Sequence, residues 1–549
     1  MNYLRLVKRN TMKNIRLFYI TALFALLTTT VSKAQEHDEL SYFAQLSSIV
    51  SSGDHAPFWF TAQRNGISSI ESSCGYARYG LKYSNTLGKK DEWSYSIVAD
   101  VASGYNQENT FMVQQAYGEL NYKWLTFTIG SKERWSEQEH FFIEMAAKAS
   151  DNNVAGKLQW LFAGRYASLG SGGLVYSGNS RPIPQVRVEI PDFTSIPGTN
   201  DWLKVRGYIA YGMFCDHNFQ REFTTTNPQA RYGKNILYHG KTLFLNIGKA
   251  SRFPITFDGG LEMHTQFGGD IYTHADGLSV SMPRKPMDFF KALIPLSGSD
   301  ETPTVEQTNI SGNQLGSWHA AFTIHTRKAD IRIYGEHMFE DFSQLFFFEY
   351  QQNRKGKKRL IYYPWRDIMI GVNIANKWEK LSFISNIRYE YLTTRDQSGA
   401  LYHDPSNYFN EQMDGGDNYY NHGIYPGWSN WGMGIGNPLI ISPIYNSNGS
   451  LQFASNRLVA HNIGVNGILN GKFPMVYRLN YTYSENWGTY ANPFNEKRYT
   501  TSLLAELTYT PVKSNWMGTI SIAHDKSSHI GNSTGVMFTL TYGGLLSDR

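Results

Sequence analysis

Segments of strand length that alternate apolar and polar residues recur from one end of this 549-residue chain to the other. In WLTFTIG, Leu125, Phe127 and Ile129 alternate with threonines, and in VMFTLTY, Val536 and Phe538 continue the same pattern. Further examples are KVRGYIAYGMF and YRLNYTYSENW. Because successive side chains of a β-strand point to opposite faces, this period of two residues predicts amphipathic strands and an all-β fold.

The start of the chain has the pattern of a secretory signal peptide. Two basic residues precede an apolar run, Leu17 to Leu27, and small residues, Ser32 and Ala34, stand at the cleavage-type positions. The run is shorter than the roughly 20 residues that a helix needs to cross a bilayer. We therefore expect residues 1–34 to be removed on export and residues 35–549 to form one domain.

The charge balance changes once this leader is set aside. The leader contains six of the 51 Lys and Arg residues and no acidic residue, so the remaining chain carries 45 basic and 46 acidic residues. Such a chain lacks the clustered basic surface that nucleic-acid binding requires, and we expect no nucleic-acid partner. The two cysteines, Cys74 and Cys215, are too few for a disulfide framework, and their spacing leaves open whether they pair.

The hydropathy of the remaining chain favours membrane strands over membrane helices. After the leader no apolar stretch reaches 18 residues, which excludes helical spans. The strands of a membrane barrel need only about 10 residues and give a weak hydropathy signal, because lipid-facing and lumen-facing side chains alternate. A content of 15% aromatic and only 18% charged residues suits such a barrel. A β-propeller would repeat about every 40 to 50 residues, and the sequence shows no internal repeat.

The length of the chain predicts the size of the barrel. At roughly 25 to 30 residues for each strand with its connection, the chain holds about 18 antiparallel strands, an even number as in bacterial outer-membrane barrels. A barrel of this size encloses a lumen wide enough for water, which is either plugged or a channel. Two helix-prone segments interrupt the strand pattern, Glu137 to Leu161 and Lys285 to Ile294, and we expect them to form plug or rim helices.

The stretch SGGLVYSGNSRPIPQVRVEI, residues 171–190, shows how the faces of one strand divide. Its aliphatic face, Val186, Val188 and Ile190, is expected to contact lipid. Its polar residues are expected to face the lumen in a structural role: Arg181, Gln185, Arg187 and Glu189. The charges predict a salt-bridge ladder, and contact with a ligand is the alternative.

The same stretch resembles the signature of the Wzi family of capsule assembly proteins. Further segments of similar character occur in order along the chain: PFWFTAQRNGISSIE, LYHGKTLFLNIG, GLEMHTQFGG, GNQLGSWHAAF, YGEHMFED, DNYYNHGIY and NRLVAHNIGVNG. The resemblance implies an outer-membrane barrel with a helical plug, which binds capsular polysaccharide in a lectin-like manner at the cell surface. It brings no catalytic residue and no cofactor, and we expect a monomer whose partners are outer-membrane lipid and capsular or exopolysaccharide.

The segment from Asp396 to Asn456 is the longest predicted surface loop, and it contains no Lys or Arg. Loops of this length that are rich in aromatic residues are typically ordered and functional, so we expect an ordered surface or lumen loop. Sugar rings present apolar CH faces and hydroxyl groups, so a glycan site needs aromatic rings beside amide or carboxylate groups. The candidate glycan-binding residues are Asp417, Asn418, Tyr419, Tyr420, Asn421, His422, Trp428, Asn430 and Trp431. Packing of these aromatic residues against the barrel is the alternative.

Metal binding is not expected from the sequence. The loop carries acidic residues with no cation among them: Asp404, Glu411, Asp414 and Asp417. Hard oxygen ligands suit calcium, which could bridge an anionic glycan, but their spacing matches no calcium loop. His264 and His461 are expected to be lumen hydrogen-bonding residues rather than metal ligands.

The segment EHMFEDFS introduces a third function class. Glu336, His337, Glu340 and Asp341 could imitate the paired carboxylates of a glycosidase, but on a strand they are equally well lumen charges, and we expect no enzyme. The sequence therefore predicts an exported outer-membrane barrel that binds surface polysaccharide without catalysis. A porin or saccharide-selective channel of the same architecture is the alternative.

Overall fold

The computed structural model describes residues 39–87, 92–139, 169–294, 312–340, 348–352, 358–362, 366–377, 383–402, 413–469, 473, 475–511 and 514–547. The expected signal peptide, and most of the helix-prone segment Glu137 to Leu161, lie outside the described residues. No described helix is long and apolar enough to cross a membrane.

Eighteen antiparallel strands form one sheet that closes on itself. In chain order they are β1 (Glu39–His55), β2 (Glu71–Leu87), β3 (Trp93–Tyr105), β4 (Phe111–Tyr122), β5 (Leu125–Ser131), β6 (Gln185–Ser195), β7 (Leu203–Met213), β8 (Leu237–Ile247), β9 (Ile255–Phe267), β10 (Asn313–His325), β11 (Ala329–Glu340), β12 (Ile368–Asn376), β13 (Asn386–Thr393), β14 (Leu458–Leu469), β15 (Met475–Gly488), β16 (Pro493–Tyr509), β17 (Trp516–Ser527) and β18 (Ser533–Ser547). Each strand pairs with its neighbours in the sequence, and β1 also pairs with β18, where Ala44 lies opposite Tyr542. This confirms the prediction of a large antiparallel barrel of about 18 strands.

Elements outside the barrel are short. The described helices with assigned bounds are α1 (Phe58–Thr61), α2 (Phe219–Phe223) and α3 (Pro286–Leu293), with single 3-10 turns at Thr224–Thr226 and Pro443–Tyr445. A three-stranded sheet joins Tyr232–Lys234, Gly269–Thr273 and Gly277–Met282. Two-stranded ribbons pair Phe348–Gln352 with Lys358–Tyr362, Ser398–Tyr402 with Met413–Gly416, and Ser429–Asn430 with Met433–Gly434.

The two ends of the barrel differ in the length of their connections. At one end the strands are joined by short turns such as residues 123–124 and 326–328. At the other end the strands are joined by longer connections, such as those between β5 and β6, between β9 and β10, and between β13 and β14. In outer-membrane barrels the short turns face the periplasm and the long loops face outward. We call the end with the long connections the outer end.

The outer wall of the barrel is apolar and exposed, as the period-two pattern predicts. Val186 and Val188 of β6 are 43% and 44% exposed, and Ile522 of β17 is 53% exposed. Gln185 and Glu189, which alternate with the two valines on β6, are buried on the inner face. Such an outward apolar band is the surface that faces hydrocarbon in this class of barrel.

Three outer-end connections fold back into the lumen. They are residues 56–70, 169–184 and 417–457, which together we call the plug. A hydrophobic cluster joins the plug residues Phe60, Leu174 and Trp428 to inward-facing wall residues such as Leu315 and Met338. All five side chains are essentially inaccessible to solvent. The described part of the lumen is therefore a packed core.

Of the two positions expected for the long aromatic segment, surface or lumen, most of residues 419–457 lie in the lumen, whereas Asn418 and His422 stay nearer the surface. The described plug differs from the expected helical plug because it is mostly irregular, with only α1 and the turn Pro443–Tyr445 as helical elements. Sequence patterns report local helix propensity, whereas the path of these connections is set by contacts with distant wall residues.

The expected helix at Lys285 to Ile294 is present as α3, but it lies on the outer wall. The hydroxyl of Tyr211, which points outward from β7, donates to Phe289 O at 2.8 Å. The ammonium of Lys241, on the outward face of β8, donates to Ala292 O at 2.7 Å. Carbonyl oxygens at a helix C-terminus favour a cation, which explains a lysine on this otherwise apolar face. Phe290 on the opposite side of α3 is 47% exposed.

The two cysteines are separate. Cys74 is buried on β2, and Cys215 is exposed just after β7. Both thiols are free, so the possibility of a disulfide that the spacing left open is not realised.

Candidate functional site

Carboxylates on the barrel wall hold the irregular backbone of the plug. Each of four accepts a hydrogen bond from a plug N–H group: Glu336 from Leu174 at 2.7 Å, Glu340 from Tyr420 at 2.8 Å, Glu390 from Ser171 at 2.6 Å and Asp525 from Phe58 at 2.6 Å. A buried backbone donor without a partner is costly, and an ionised acceptor makes a strong bond. These strand-borne acids therefore have a structural role.

These contacts with the plug involve the acidic residues of the segment EHMFEDFS, which were considered above as possible glycosidase carboxylates. Glu336 and Glu340 both face the lumen from β11, and both are occupied by plug amides. His337 alternates with them, and its Nδ1 lies 2.7 Å from Asp367 O. Asp341 lies outside the described residues. The described geometry gives these residues contacts with the protein itself, and no pair of them faces a groove.

Glu390 of β13 is the most connected of these anchors. Besides the Ser171 amide, it accepts bonds from Ser171 Oγ at 2.9 Å, from Tyr334 Oη at 2.5 Å and from Asn462 Nδ2 at 3.3 Å. Arg388 Nη1 lies 3.9 Å from its other carboxylate oxygen. The plug segment that contains Ser171 is thus fixed through one side chain to a network that joins the wall strands β11, β13 and β14.

The four polar residues of the stretch around β6 lie in the barrel interior. Arg181, in the plug, is buried, and Gln185 is buried at the start of β6. Arg187 pairs with Glu189 at 2.6 Å, and Glu189 also pairs with Arg134 at 3.3 Å. The charges thus form an interior ladder of ion pairs.

Several predicted glycan-binding residues are buried inside the plug. Trp428 Nε1 donates to Val175 O at 2.8 Å, and the Tyr419 hydroxyl donates to Asp367 at 3.0 Å. The Tyr420 hydroxyl donates to Leu174 O. Asn430 Nδ2 donates to Arg181 O at 2.9 Å, and Asn421 exchanges hydrogen bonds with the backbone of Phe453 at 2.7 and 3.0 Å. Their rings and amides join plug segments to each other and to the wall, so they do not offer a free ring face.

The other predicted residues stay nearer the surface. Asn418 is exposed, and Asp417 and His422 are half-buried. Burial and the nearby Arg231 cation lower the pKa of His422 to about 4. The imidazole is therefore neutral at neutral pH, and its Nδ1 accepts the backbone N–H of Ile424 at 3.1 Å.

Trp431 joins the plug to the loop between β7 and β8. Its backbone is left-handed, with φ of 55°. Its Nε1 donates to Cys215 O at 3.1 Å, and the guanidinium of Arg181 lies 4.1 Å from the ring centroid. The indole is partly exposed at the outer end, beside a groove.

The groove has a volume of about 360 Å³ and is lined by residues 213–218, 220–221 and 232–236. Its exposed polar side chains include His217, Asn218, Arg221 and Asn235. The backbones of His217 and Asn218 are both left-handed, with φ of 50° and 69°. Adjacent strained residues of this kind are costly and cluster at ligand-binding sites.

Asp216 shapes the floor of this groove. Its carboxylate accepts the backbone N–H groups of Asn218 at 3.2 Å and Gln220 at 3.0 Å, which holds the turn that leads into α2. Burial raises the pKa of the Asp216 carboxyl above its usual value. The groove could not be predicted from the sequence, in which its only local signal is the cluster Asp-His-Asn at residues 216–218.

The connection between β7 and β8 also supplies the positive charge that the segment 396–456 lacks. Arg221 and Lys234 line the groove, and Arg231 donates to Gly423 O in the plug. Lys234 Nζ lies 5.0 Å from the ring centroid of Tyr272. The surface around Trp431 therefore combines a partly exposed indole, amide groups and cations, which together can contact the CH groups, hydroxyls and acidic groups of a sugar chain.

No protein-family model matches the chain, and no curated protein matches it. Among solved structures it is similar to Wzi of Escherichia coli, a carbohydrate-binding β-barrel of the outer membrane involved in group 1 capsule assembly. The two are 13% identical with a TM-score of 0.51, over 91% of this chain and 83% of that one. OccAB4 of Acinetobacter baumannii is 9% identical with a TM-score of 0.43, over 93% and 99% of the two chains. The likeness to Wzi shows the fold, an outer-membrane β-barrel.

Proposed function

We propose that this barrel binds an acidic capsular or extracellular polysaccharide at its outer end and holds it at the cell surface without chemical change. The observation that carries the proposal is the groove beside Trp431, where a partly exposed indole, amides and cations meet on a rigid, plugged barrel. Rigid elements position binding groups more accurately than free loops. The carbohydrate-binding barrel that the chain resembles in fold supports the same proposal.

The proposed site divides the predicted glycan-binding residues into two groups. Trp431, Asn418 and His422 are the accessible members that can approach a sugar chain. Buried members such as Trp428 fix the plug on which these stand. The groove residues His217, Asn218, Arg221 and Asn235 are added to the site because they are exposed beside Trp431.

The porin alternative requires a continuous water path through the lumen. Three connections occupy that space in the described structure, and their backbone is tied to the wall by four carboxylates. Binding at the outer end needs no such path. The packing of the described residues therefore favours a polysaccharide-binding protein over a porin.

Replacing Trp431 by Ala is expected to weaken retention of an acidic polysaccharide about tenfold, because a lost aromatic contact costs roughly 1 kcal/mol or more. Arg221→Gln should weaken it too, and increasingly so as salt is lowered, because its charge is exposed. Retention is measured by affinity electrophoresis or on immobilised polysaccharide with detergent-solubilised protein.

The matched control is Trp202→Ala, which removes a tryptophan that is 44% exposed at the opposite end of the barrel. It should leave retention unchanged. Equal retention by the Trp431→Ala variant and the unaltered protein, both fully folded, would count against the groove as the binding site.

A further inference from the structure

Three ionisable side chains meet on the inner wall where β9, β10 and β11 run side by side. Glu262, His319 and Glu336 are each buried, at 1%, 6% and 0% exposure. His319 Nε2 lies 3.3 Å from Glu262 Oε2 and 3.8 Å from Glu336 Oε1. One candidate ligand atom from each residue lies within 4.8 Å of the other two. The strand register makes this possible, because His319 lies directly opposite Glu336.

The charges of this cluster do not balance among its own members. Two carboxyl groups face the imidazole of His319, so when both are ionised a protonated His319 compensates only one of them, and His264 beside Glu262 is the next ionisable group. In the described structure neither Glu262 Oε2 nor Glu336 Oε2 accepts a hydrogen bond of ordinary geometry. Buried carboxylate oxygens are normally paired with donors or coordinate a metal, so both atoms need an explanation.

Each carboxylate is nevertheless held in place through its other oxygen. Glu336 Oε1 accepts the N–H of Leu174 at 2.7 Å. Glu262 Oε1 lies 2.8 Å from His264 Nε2, and His264 Nδ1 lies 2.7 Å from the hydroxyl of Tyr238. If the Tyr238 hydroxyl donates to Nδ1, His264 Nε2–H donates to Glu262. A second layer of partners that fixes one oxygen and leaves the other available is typical around metal ligands.

We propose that Glu262, His319 and Glu336 bind a divalent transition-metal ion, with zinc as the preferred ion. Two oxygen ligands and one nitrogen ligand suit zinc, whose bonds of about 2.0 to 2.2 Å place tetrahedral ligand atoms roughly 3.3 Å apart. The 3.3 Å separation of His319 Nε2 and Glu262 Oε2 already agrees. The 3.8 Å separation is to Glu336 Oε1, which also accepts the Leu174 N–H, so the available Oε2 comes into position only with a rotation of the carboxylate group. Binding through Nε2 requires the His319 Nδ1–H to find an acceptor.

That acceptor is available. Gln138 Nε2 lies 3.1 Å from His319 Nδ1, and Gln138 Oε1 has no hydrogen-bond partner among the described residues. Turning the amide about its own axis places Oε1 beside Nδ1, so one rotation satisfies both groups. Ser317 Oγ, 2.8 Å from His319 Nε2, stands beside the cluster as a further oxygen.

The ion would link three wall strands to the plug. Glu336 binds the Leu174 amide as well as the metal, so metal binding and plug docking share one side chain. The cluster is buried, and the ion therefore enters as the chain folds. This inference is independent of glycan binding, because the cluster lies in the core and the groove lies on the outer surface.

The experiment refolds the full-length mature protein in detergent with zinc chloride, removes loosely bound ions with a chelator, and measures zinc by plasma mass spectrometry. The expected content is about one zinc per chain. Glu336→Gln and His319→Gln should each lower it at least tenfold. Glu390→Gln is the matched control, because Glu390 also binds a plug amide but belongs to no such cluster in the part of the chain that the structure describes, and it should keep its zinc.

Thermal unfolding supplies a second readout. Zinc should raise the melting temperature of the unaltered protein and of Glu390→Gln, but not that of Glu336→Gln. If His319→Gln fails to fold, Glu262→Gln replaces it, and anomalous scattering at the zinc edge locates the ion. A zinc-free refolded protein, an ion located elsewhere, or a Glu336→Gln variant with full zinc content would overturn the proposal in favour of a proton-sharing cluster.

Discussion

Replacing Glu390 by Ala lowers the free energy of unfolding by about 3 to 5 kcal/mol, as expected when one partner of a buried charged network is removed. The change leaves the Ser171 amide and the Tyr334 hydroxyl without their acceptor, and it leaves Arg388 with less compensation. The plug segment that contains Ser171 is then expected to detach transiently. Denaturant unfolding in detergent measures the loss, and planar-bilayer recording detects brief openings of the variant.

The control is Glu485→Ala, because Glu485 forms an ion pair with Lys497 at 3.1 Å near the barrel surface. Partly exposed pairs contribute about 0 to 1 kcal/mol, so this variant should unfold nearly like the unaltered protein and stay closed. A Glu390→Ala variant that is as stable as the control, and that shows no more channel openings than the control, would show that the carboxylate does not anchor the plug.

The second large effect concerns two tryptophans that lie three positions apart. Trp428→Ala is expected to cost about 3 to 5 kcal/mol, because the indole is fully buried and its removal leaves a cavity and an unpaired Val175 carbonyl. Trp431→Ala should cost about 1 kcal/mol or less, because its indole is partly exposed. Urea unfolding midpoints for the two variants provide the comparison.

The two variants also separate packing from binding. Trp431→Ala should lose polysaccharide retention with little loss of stability, whereas Trp428→Ala should lose stability first. If both variants lost stability equally, or if Trp428→Ala left it unchanged, the division of the loop into supporting and accessible residues would be wrong.

The barrel itself could be predicted from the sequence because the alternation of residue types that produces it lies within each strand. Alternate residues of every spanning strand meet two different environments, so Val186 and Val188 differ from Gln185 and Glu189 in type as well as in exposure. The strand count followed from chain length for the same reason, since each strand needs a similar number of residues to cross the membrane.

The interior could not be predicted in the same way, because its contacts are distant in the sequence. Trp428 and Trp431 share one short stretch, yet the hydrogen-bond partner of Trp428 is Val175, 253 positions away. The groove beside Trp431 is lined by a different connection, around Asp216, and no repeat or motif links the two segments. The helix α3 was recognised from its local pattern, but its position on the outer wall depends on Tyr211 and Lys241.

Planar-bilayer conductance of the unaltered protein tests most directly the claim that the chain fills its own lumen. With the plug docked, the account expects no steady current above the baseline of the membrane, in the same recordings in which Glu390→Ala shows brief openings. A large, steady conductance from the unaltered, fully folded protein would contradict the account and favour a channel.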